Sequence, residues 1–206
     1  MTSHIIFEAR MNTTQKLENS FYIPIILGST RRGRQSPKVA TFILNRIKHN
    51  KEIKTELLDL LEYDFPIMEE RLSKRDDPPA RLREFSNKVA SSDALIIVTP
   101  EYNGGYPGVL KNALDYLLPE YKRTPIGIVT VSAGGFGGIN CLAQLRLTML
   151  SMGALPIPAS LPISKVHDVF EDDGTPRDSS YEKRADTFIS ELLWFAKAIA
   201  NQRATS

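Results

Sequence analysis

"ALIIVTPEYNGGYPGVLKNALDYLL" (residues 94–118) contains the pattern that decides the fold. Residues 94–100 form a continuous apolar, β-branched run that stops at Pro100. A run with no polar face must be covered on both sides, which is the situation of a strand inside a parallel sheet. A loop carrying Gly104, Gly105 and Gly108 follows, and "VLKNALDYLL" then shows helical periodicity. Strand, glycine-rich loop and helix make a βα unit, and the rest of the chain repeats that alternation.

Toward the N-terminus, the apolar "YIPIIL" (22–27) reads as a short buried first strand. Ser36 is a good N-cap and Pro37 suits the first helical position, so a helix is expected to open there. Val39, Phe42, Ile43 and Ile47 continue it at helical spacing. "IKTELLDLL" (53–61) reads as a second strand, and a helix is expected from about Pro79 to Ala90, with Leu82, Phe85 and Val89 on one face.

Toward the C-terminus, "PIGIVTVS" (125–132) is a fourth strand, "AGGFGG" its loop, and "INCLAQLRLTMLSMGA" a long helix ending at Gly153. "LPIPASLPIS" is a proline-interrupted fifth strand, suited to a sheet edge. A last amphipathic helix, 181–200, places Phe188, Leu192 and Phe195 on its apolar face. The order β-α-β-α-β-α-β-α-β-α implies an α/β fold, a parallel sheet with helices on both faces. One domain over 21–206 accounts for it. Residues 1–20, mostly polar, read as an N-terminal extension outside the core.

Composition narrows the function classes. The 206 residues carry 26 basic and 24 acidic side chains, and a net charge of +2 gives no support to nucleic-acid binding. Cys141 is the only cysteine, so neither an intrachain disulfide nor a cysteine metal cluster can form. His4, His49 and His167 match no zinc-ligand spacing. His167 lies among Asp168, Glu171, Asp172 and Asp173, a stretch best read as a solvated acidic loop. No apolar run approaches the roughly 20 residues of a membrane span, and the N-terminus lacks the pattern of a secretory signal. A reducing cytoplasm is the expected compartment. Cys141 reads as a packing residue, and Trp194 as part of the core or of a subunit interface.

In an open doubly wound sheet, ligands bind outside the carboxyl ends of the strands. That rule selects three loops: "GSTRRGRQS" after the first strand, "PEYNGGYPG" after the third and "SAGGFGG" after the fourth. The first offers Ser29, Thr30 and Ser36 hydroxyls, three arginines and a helix N-terminus, the ingredients of a phosphate site. A solvated turn with a serine cap would also carry these residues; the position after a buried strand favours the anion. Gly28 to Gly33 matches G-x-x-x-x-G, but Arg34-Gln35 replaces the Lys-[Ser/Thr] of a P-loop. In "GGFGGIN", Asn140 stands where the dinucleotide fingerprint needs its third glycine. A single terminal phosphate fits better than a triphosphate or pyrophosphate. The second and third loops supply backbone amides and a small-residue wall for a flat heteroaromatic ring, although Gly104 and Gly105 would serve equally in a plain turn.

Taken together, "GSTRRGRQSPKVA", "PEYNGGYPGVLKNALDYL" and "SAGGFGG", in this order and spacing, resemble the NAD(P)H-dependent FMN reductases, flavodoxin-like quinone and azo-dye reductases. The resemblance spans about residues 22–200. It implies a three-layer, doubly wound, five-stranded sheet in the order 2-1-3-4-5, with one non-covalently held FMN per subunit. By match to the family's motifs, Ser29, Arg31 and Ser36 belong to the phosphate loop, and Arg34 is a further phosphate contact. Pro100, Glu101, Tyr102 and Asn103 line the isoalloxazine ring, largely through main chain. Ser132, Gly134 and Gly135 lie at the ring's pyrimidine edge. Arg32 could face cofactor, NADPH or solvent. The activity implied is ping-pong hydride transfer from NADPH or NADH through FMN to a quinone, azo compound or related acceptor. No side chain is nominated as catalytic, and no metal is expected. A homodimer or homotetramer is implied. The rival readings are an electron-carrier flavodoxin and an FMN-binding sensor or interaction protein.

Overall fold

The computed structural model describes residues 20–205, so the expected extension over 1–20 lies almost wholly outside the described residues. Among the described residues there are seven strands: β1 (Phe21–Tyr22), β2 (Ile25–Leu27), β3 (Ile53–Lys54), β4 (Leu57–Asp59), β5 (Leu95–Pro100), β6 (Pro125–Val131) and β7 (Leu155–Ile163). The α-helices are α1 (Ser36–Lys48), α2 (Leu60–Tyr63), α3 (Leu82–Ala90), α4 (Gly108–Asp115), α5 (Ile139–Ser151), α6 (Val166–Val169) and α7 (Ser180–Ala204).

Five strands pair in the order β4-β2-β5-β6-β7, every neighbour parallel, and β1 pairs with β3 in a separate short ladder. Successive side chains of a strand point to opposite faces. Ile25 and Leu27 of β2, with Ile96 and Val98 of β5, accordingly enter a core shared with Val39, Ile43 and Ile47 of α1 and Phe188 and Leu192 of α7. Ile26, Leu95 and Ile97 enter a second core, with Phe85 of α3, Leu114 of α4 and Leu145 of α5. Two cores, one on each face, explain why these strands are apolar at every position.

Four details depart from the sequence reading. The first strand is divided at Pro24, which has no N–H to donate; its carbonyl still accepts from the Ile96 amide at 3.1 Å. The segment 53–61 is two short strands that then turn helical at Leu60. Asp59 causes the switch, because its carboxylate accepts from the Leu61 amide at 3.0 Å and caps α2. The helix expected from Pro79 begins only at Leu82, after Arg81 adopts a left-handed backbone at φ 61°. The cap of α1 is Gln35, not Ser36, which is already the first helical residue.

The proline-interrupted β7 does take the sheet edge, where Pro158 deprives no neighbour of a donor, and a register shift against β6 falls between Ile126 and Ile128. Gly127 occupies that shift because α7 presses on it: a Cβ there would meet Phe188 Cζ at 2.6 Å.

Candidate active site

The loops after β2, β5 and β6 meet at the carboxyl edge of the sheet. The first starts at Gly28, whose amide bonds the Val98 carbonyl at 2.9 Å and whose missing side chain leaves room for Leu110. Ser29 is fully buried, and its hydroxyl lies 2.7 Å from the Tyr102 hydroxyl, tying the first loop to the second. A tight turn follows, closed by the Arg34 amide on the Arg31 carbonyl at 3.1 Å, with Gly33 at φ 68°.

The arginines of this turn have separate fates. Arg34 forms a two-pronged ion pair with Asp59, at 2.7 Å to Oδ1 and 2.6 Å to Oδ2, and also donates to the Ser29 carbonyl. These bonds hold the loop to the end of β4. Arg31 is exposed and sits over the Tyr102 ring, 5.8 Å from its centroid. Arg32 is exposed to solvent.

Because Gln35 takes the cap position and makes no capping bond, the first amides of α1 receive no side chain. Ser36 Oγ, in a residue with no exposure, has no hydrogen-bond partner, and neither does the buried Oε1 of Gln35. Buried polar atoms are rarely left so, and two on consecutive residues at a helix start point to a ligand.

In the second loop, the Tyr102 amide bonds the Gly105 carbonyl at 2.8 Å and the Gly105 amide returns to the Tyr102 carbonyl at 3.0 Å. This closure requires left-handed backbone at Asn103 and Gly104. The Glu101 carboxylate accepts from the Cys141 amide at 3.0 Å, so it is an anionic partner for the start of α5. Burial pushes the Cys141 thiol up to about 12, which makes it inert packing, as its apolar context suggests. In the third loop, Ser132 Oγ donates to the Gly134 carbonyl at 2.9 Å, and Thr130 Oγ1 donates to the Gly137 carbonyl at 2.6 Å.

Between the loops lies a cavity of about 250 Å³. Arg31, Arg34, Ser36, Pro100, Glu101, Tyr102 and Ser132 all line it. Ser29 lies beneath, through its bond to Tyr102. Asn103, Gly134 and Gly135 lie on the adjoining turns and are exposed, outside the lining. Gly33, Gln35, Val131, Ala133, Val166 and His167, none of them nominated from sequence, complete the wall. His167 arrives from α6 because Val166 is buried beneath Ser132, its amide bonding the Ser132 carbonyl at 3.1 Å. Nothing local in "KVHDVF" signals that approach.

A larger groove, about 600 Å³, runs between the C-terminal end of α1 and α7. Trp194, 62% exposed, lines it and is therefore no part of the core. The groove's Arg46 is paired with Asp186 and Glu182, and its Lys197 with Glu52. No buried polar atom there lacks a partner among the described residues. The smaller cavity is the candidate active site. Among the described residues, no group of three metal-ligating side chains occurs, and no helix is long and apolar enough to cross a membrane.

Sheet and cavity together define a parallel-sheet α/β protein with a candidate ligand site at the carboxyl ends of its strands. Comparison with known proteins narrows that class. Residues 22–168 match the profile of the NADPH-dependent FMN reductases. The chain is 36% identical over 159 residues to an NAD(P)H-dependent FMN reductase of Schizosaccharomyces pombe, covering 70% of this chain and 75% of the relative. It is 28% identical over 178 residues to an FMN-dependent NADPH-azoreductase of Staphylococcus aureus, covering 83% and 93%. Among solved structures, the flavoenzyme NAD(P)H:(acceptor) oxidoreductase FerB of Paracoccus denitrificans superposes with a TM-score of 0.70 at 22% identity, over 85% of this chain and 98% of that one. The chain belongs to the NADPH-dependent FMN reductase family.

Proposed function

We propose that this protein is an FMN-dependent NAD(P)H oxidoreductase that passes reducing equivalents to quinone, azo or related small-molecule acceptors. The observation that carries the reading is the pair of buried, unpartnered atoms, Ser36 Oγ and Gln35 Oε1, at an uncapped helix start facing the cavity. A phosphate ester satisfies such a helix start. The residues present therefore fit FMN. Split strands β1/β2 and β3/β4, each counted once, restore the flavodoxin-like order 2-1-3-4-5, and 21–206 is then one FMN-binding domain.

On this reading Ser36 and the α1 amides hold the phosphate, with Arg31 and the Ser29–Tyr102 bond shaping its cradle. Arg34 acts through the loop it braces. Pro100, Glu101, Tyr102 and Asn103 border the ring from one side, Ser132, Gly134 and Gly135 from the other. FMN, when bound, supplies the hydride chemistry. The protein orients it, and the amides of the two glycine-bearing loops offer donors to charge that develops on its polar edge. Tyr102 fixes the wall at the cavity mouth, and no side chain is required as a proton donor, since water reaches the exposed loops.

A homodimer is part of this proposal. Ile139, Leu147 and Leu150 are exposed along one face of α5, with Phe136 just before it, and Arg146 is the only charged residue in that helix. Arg146 shares that side of the helix but donates to the Ile157 and Pro158 carbonyls, and the otherwise apolar face can meet its own copy across a two-fold axis. Leu147→Glu should yield a monomer in sedimentation, whereas an unchanged sedimentation coefficient refutes this interface. A cytoplasmic location is the compartment assigned.

The decisive experiment is an anaerobic titration. Purified protein should be yellow, with the absorbance bands of bound FMN, and should bleach with NADPH or NADH; added quinone or azo dye should restore the colour. A colourless protein that cannot be reconstituted with FMN refutes the proposal. Bound flavin that neither nicotinamide reduces points to an electron carrier instead.

A further inference from the structure

The cradle at the start of α1 contains an acceptor that a phosphate alone cannot use. The orientation of the Gln35 carboxamide is set by its nitrogen, which donates to the Gly33 carbonyl at 2.9 Å. Its oxygen is thereby turned inward, is buried, and accepts from nothing. A phosphate dianion would repel this oxygen, because both are acceptors. Neither neighbouring cation serves it: Arg34 is committed to Asp59 and to the Ser29 carbonyl, and Arg31 packs over Tyr102. The missing partner is a neutral donor close to the phosphate. The next residue, Ser36, is fully buried with a free hydroxyl that can donate to a phosphate oxygen. Two adjacent side chains thus present a donor and an acceptor, the complement of a phosphate ester with a hydroxyl on the neighbouring carbon.

We propose that Gln35 is a specificity-determining residue: its carboxamide oxygen accepts a hydrogen bond from the hydroxyl next to the ligand's phosphate-bearing carbon, the ribityl 4′-hydroxyl in FMN. This rests on the FMN reading above and deepens it. The site then selects polyol phosphates carrying a ring and discriminates against flat-ring phosphate esters that lack the neighbouring hydroxyl. A site that hydrogen-bonds a ligand hydroxyl rejects the analogue lacking it, because its own buried group is left unpaired.

The test is a flavin-fluorescence titration of protein stripped of bound flavin, with FMN and 4′-deoxy-FMN as probes. Wild type should bind FMN about tenfold more tightly than 4′-deoxy-FMN, the effect of one buried hydrogen bond. Gln35→Leu should bind the two alike, near the wild-type affinity for the deoxy analogue. A mere loosening of the loop would weaken both ligands equally and leave the preference intact; that outcome overturns the proposal. Should Gln35→Leu fail to fold, wild type is titrated with the 2′-, 3′- and 4′-deoxy analogues. A penalty concentrated at the 4′ position supports the assignment, and equal affinities overturn it. Wild type that binds no flavin removes the FMN reading together with this one, whereas flavin binding without a 4′ preference removes this one alone.

Discussion

Asp59→Asn separates two roles for Arg34. In the structure both carboxylate oxygens of Asp59 engage the guanidinium, at 2.7 and 2.6 Å, and the side chains are only 12% and 14% exposed. Asparagine keeps the oxygen that caps the Leu61 amide, so the substitution removes the charge and spares α2. It leaves a largely buried guanidinium facing a neutral amide. Removing one partner of a buried pair costs about 3–5 kcal/mol, and the residual exposure places this case near the lower end, at about 3 kcal/mol. With a urea slope of about 2–3 kcal/mol per molar, the unfolding midpoint should fall by about 1 M. Arg34→Met should cost a similar amount, and the double variant less than the sum, since the two singles break the same pair. The functional readout is FMN affinity by fluorescence quenching. If Arg34 braces the loop, freeing it slackens the Ser29 carbonyl and FMN dissociates more readily. If Arg34 were itself a phosphate ligand held back by Asp59, freeing it would tighten FMN. Tighter binding, or an unfolding midpoint within about 0.2 M of wild type on that same slope, would refute the bracing role.

Arg31→Ala should weaken FMN retention more than Arg32→Ala, because Arg31 lines the cavity and packs over Tyr102 while Arg32 faces solvent; equal dissociation constants would count against this. Gly127→Ala should destabilise by about 1–3 kcal/mol, the usual cost of overpacking, since its Cβ would lie 2.6 Å from Phe188 Cζ and 3.1 Å from Leu192 Cδ2. Thermal unfolding checks it, and a wild-type melting temperature would show that α7 can yield. Cys141 has its thiol raised from an ordinary 9.0 to about 12, so the folded protein keeps it neutral while the unfolded chain ionises it. Stability contributed by this group is therefore complete below about pH 9 and declines as pH rises toward 12. Cys141→Ala should flatten that alkaline decline, and at pH 8 a thiol reagent should label wild type only after unfolding.

Much of the fold was readable in local pattern. "ALIIVTP" and "PIGIVTVS" could only be strands covered on both faces, and prolines 156, 158 and 162 made the last strand an edge. What local pattern got wrong were element boundaries, one set by a single hydrogen bond and another at a helix start that takes no side-chain cap. Asp59 captured the Leu61 amide and turned the last two residues of an expected strand into the start of a helix. Gln35 displaced Ser36 from the cap. Helix-forming and strand-forming tendencies differ by less than such a bond contributes, so propensity cannot locate these boundaries.

The candidate site divides the same way. The three loops were identifiable because a parallel sheet sends its ligand to the carboxyl ends of its strands, and loop composition marked them. Seven of the eleven nominated residues line one cavity. Gln35 went unnoticed because its importance lies in an oxygen left without a partner, a property of packing that no residue type announces. His167 went unnoticed because a buried neighbour, Val166, brings it to a wall begun at Arg31, 136 positions earlier in the chain.

By itself, then, the sequence determined the alternation of elements, the two-sided burial of the sheet and the chemistry gathered at one edge, since each depends on residues close together in the chain. Tertiary structure decided which of those groups are already spent. Three neighbouring arginines look alike in sequence, yet one pairs with Asp59, one packs over Tyr102 and one faces water. That division depends on what the fold brings within about 3 Å, the range over which a hydrogen bond or ion pair is made or missed.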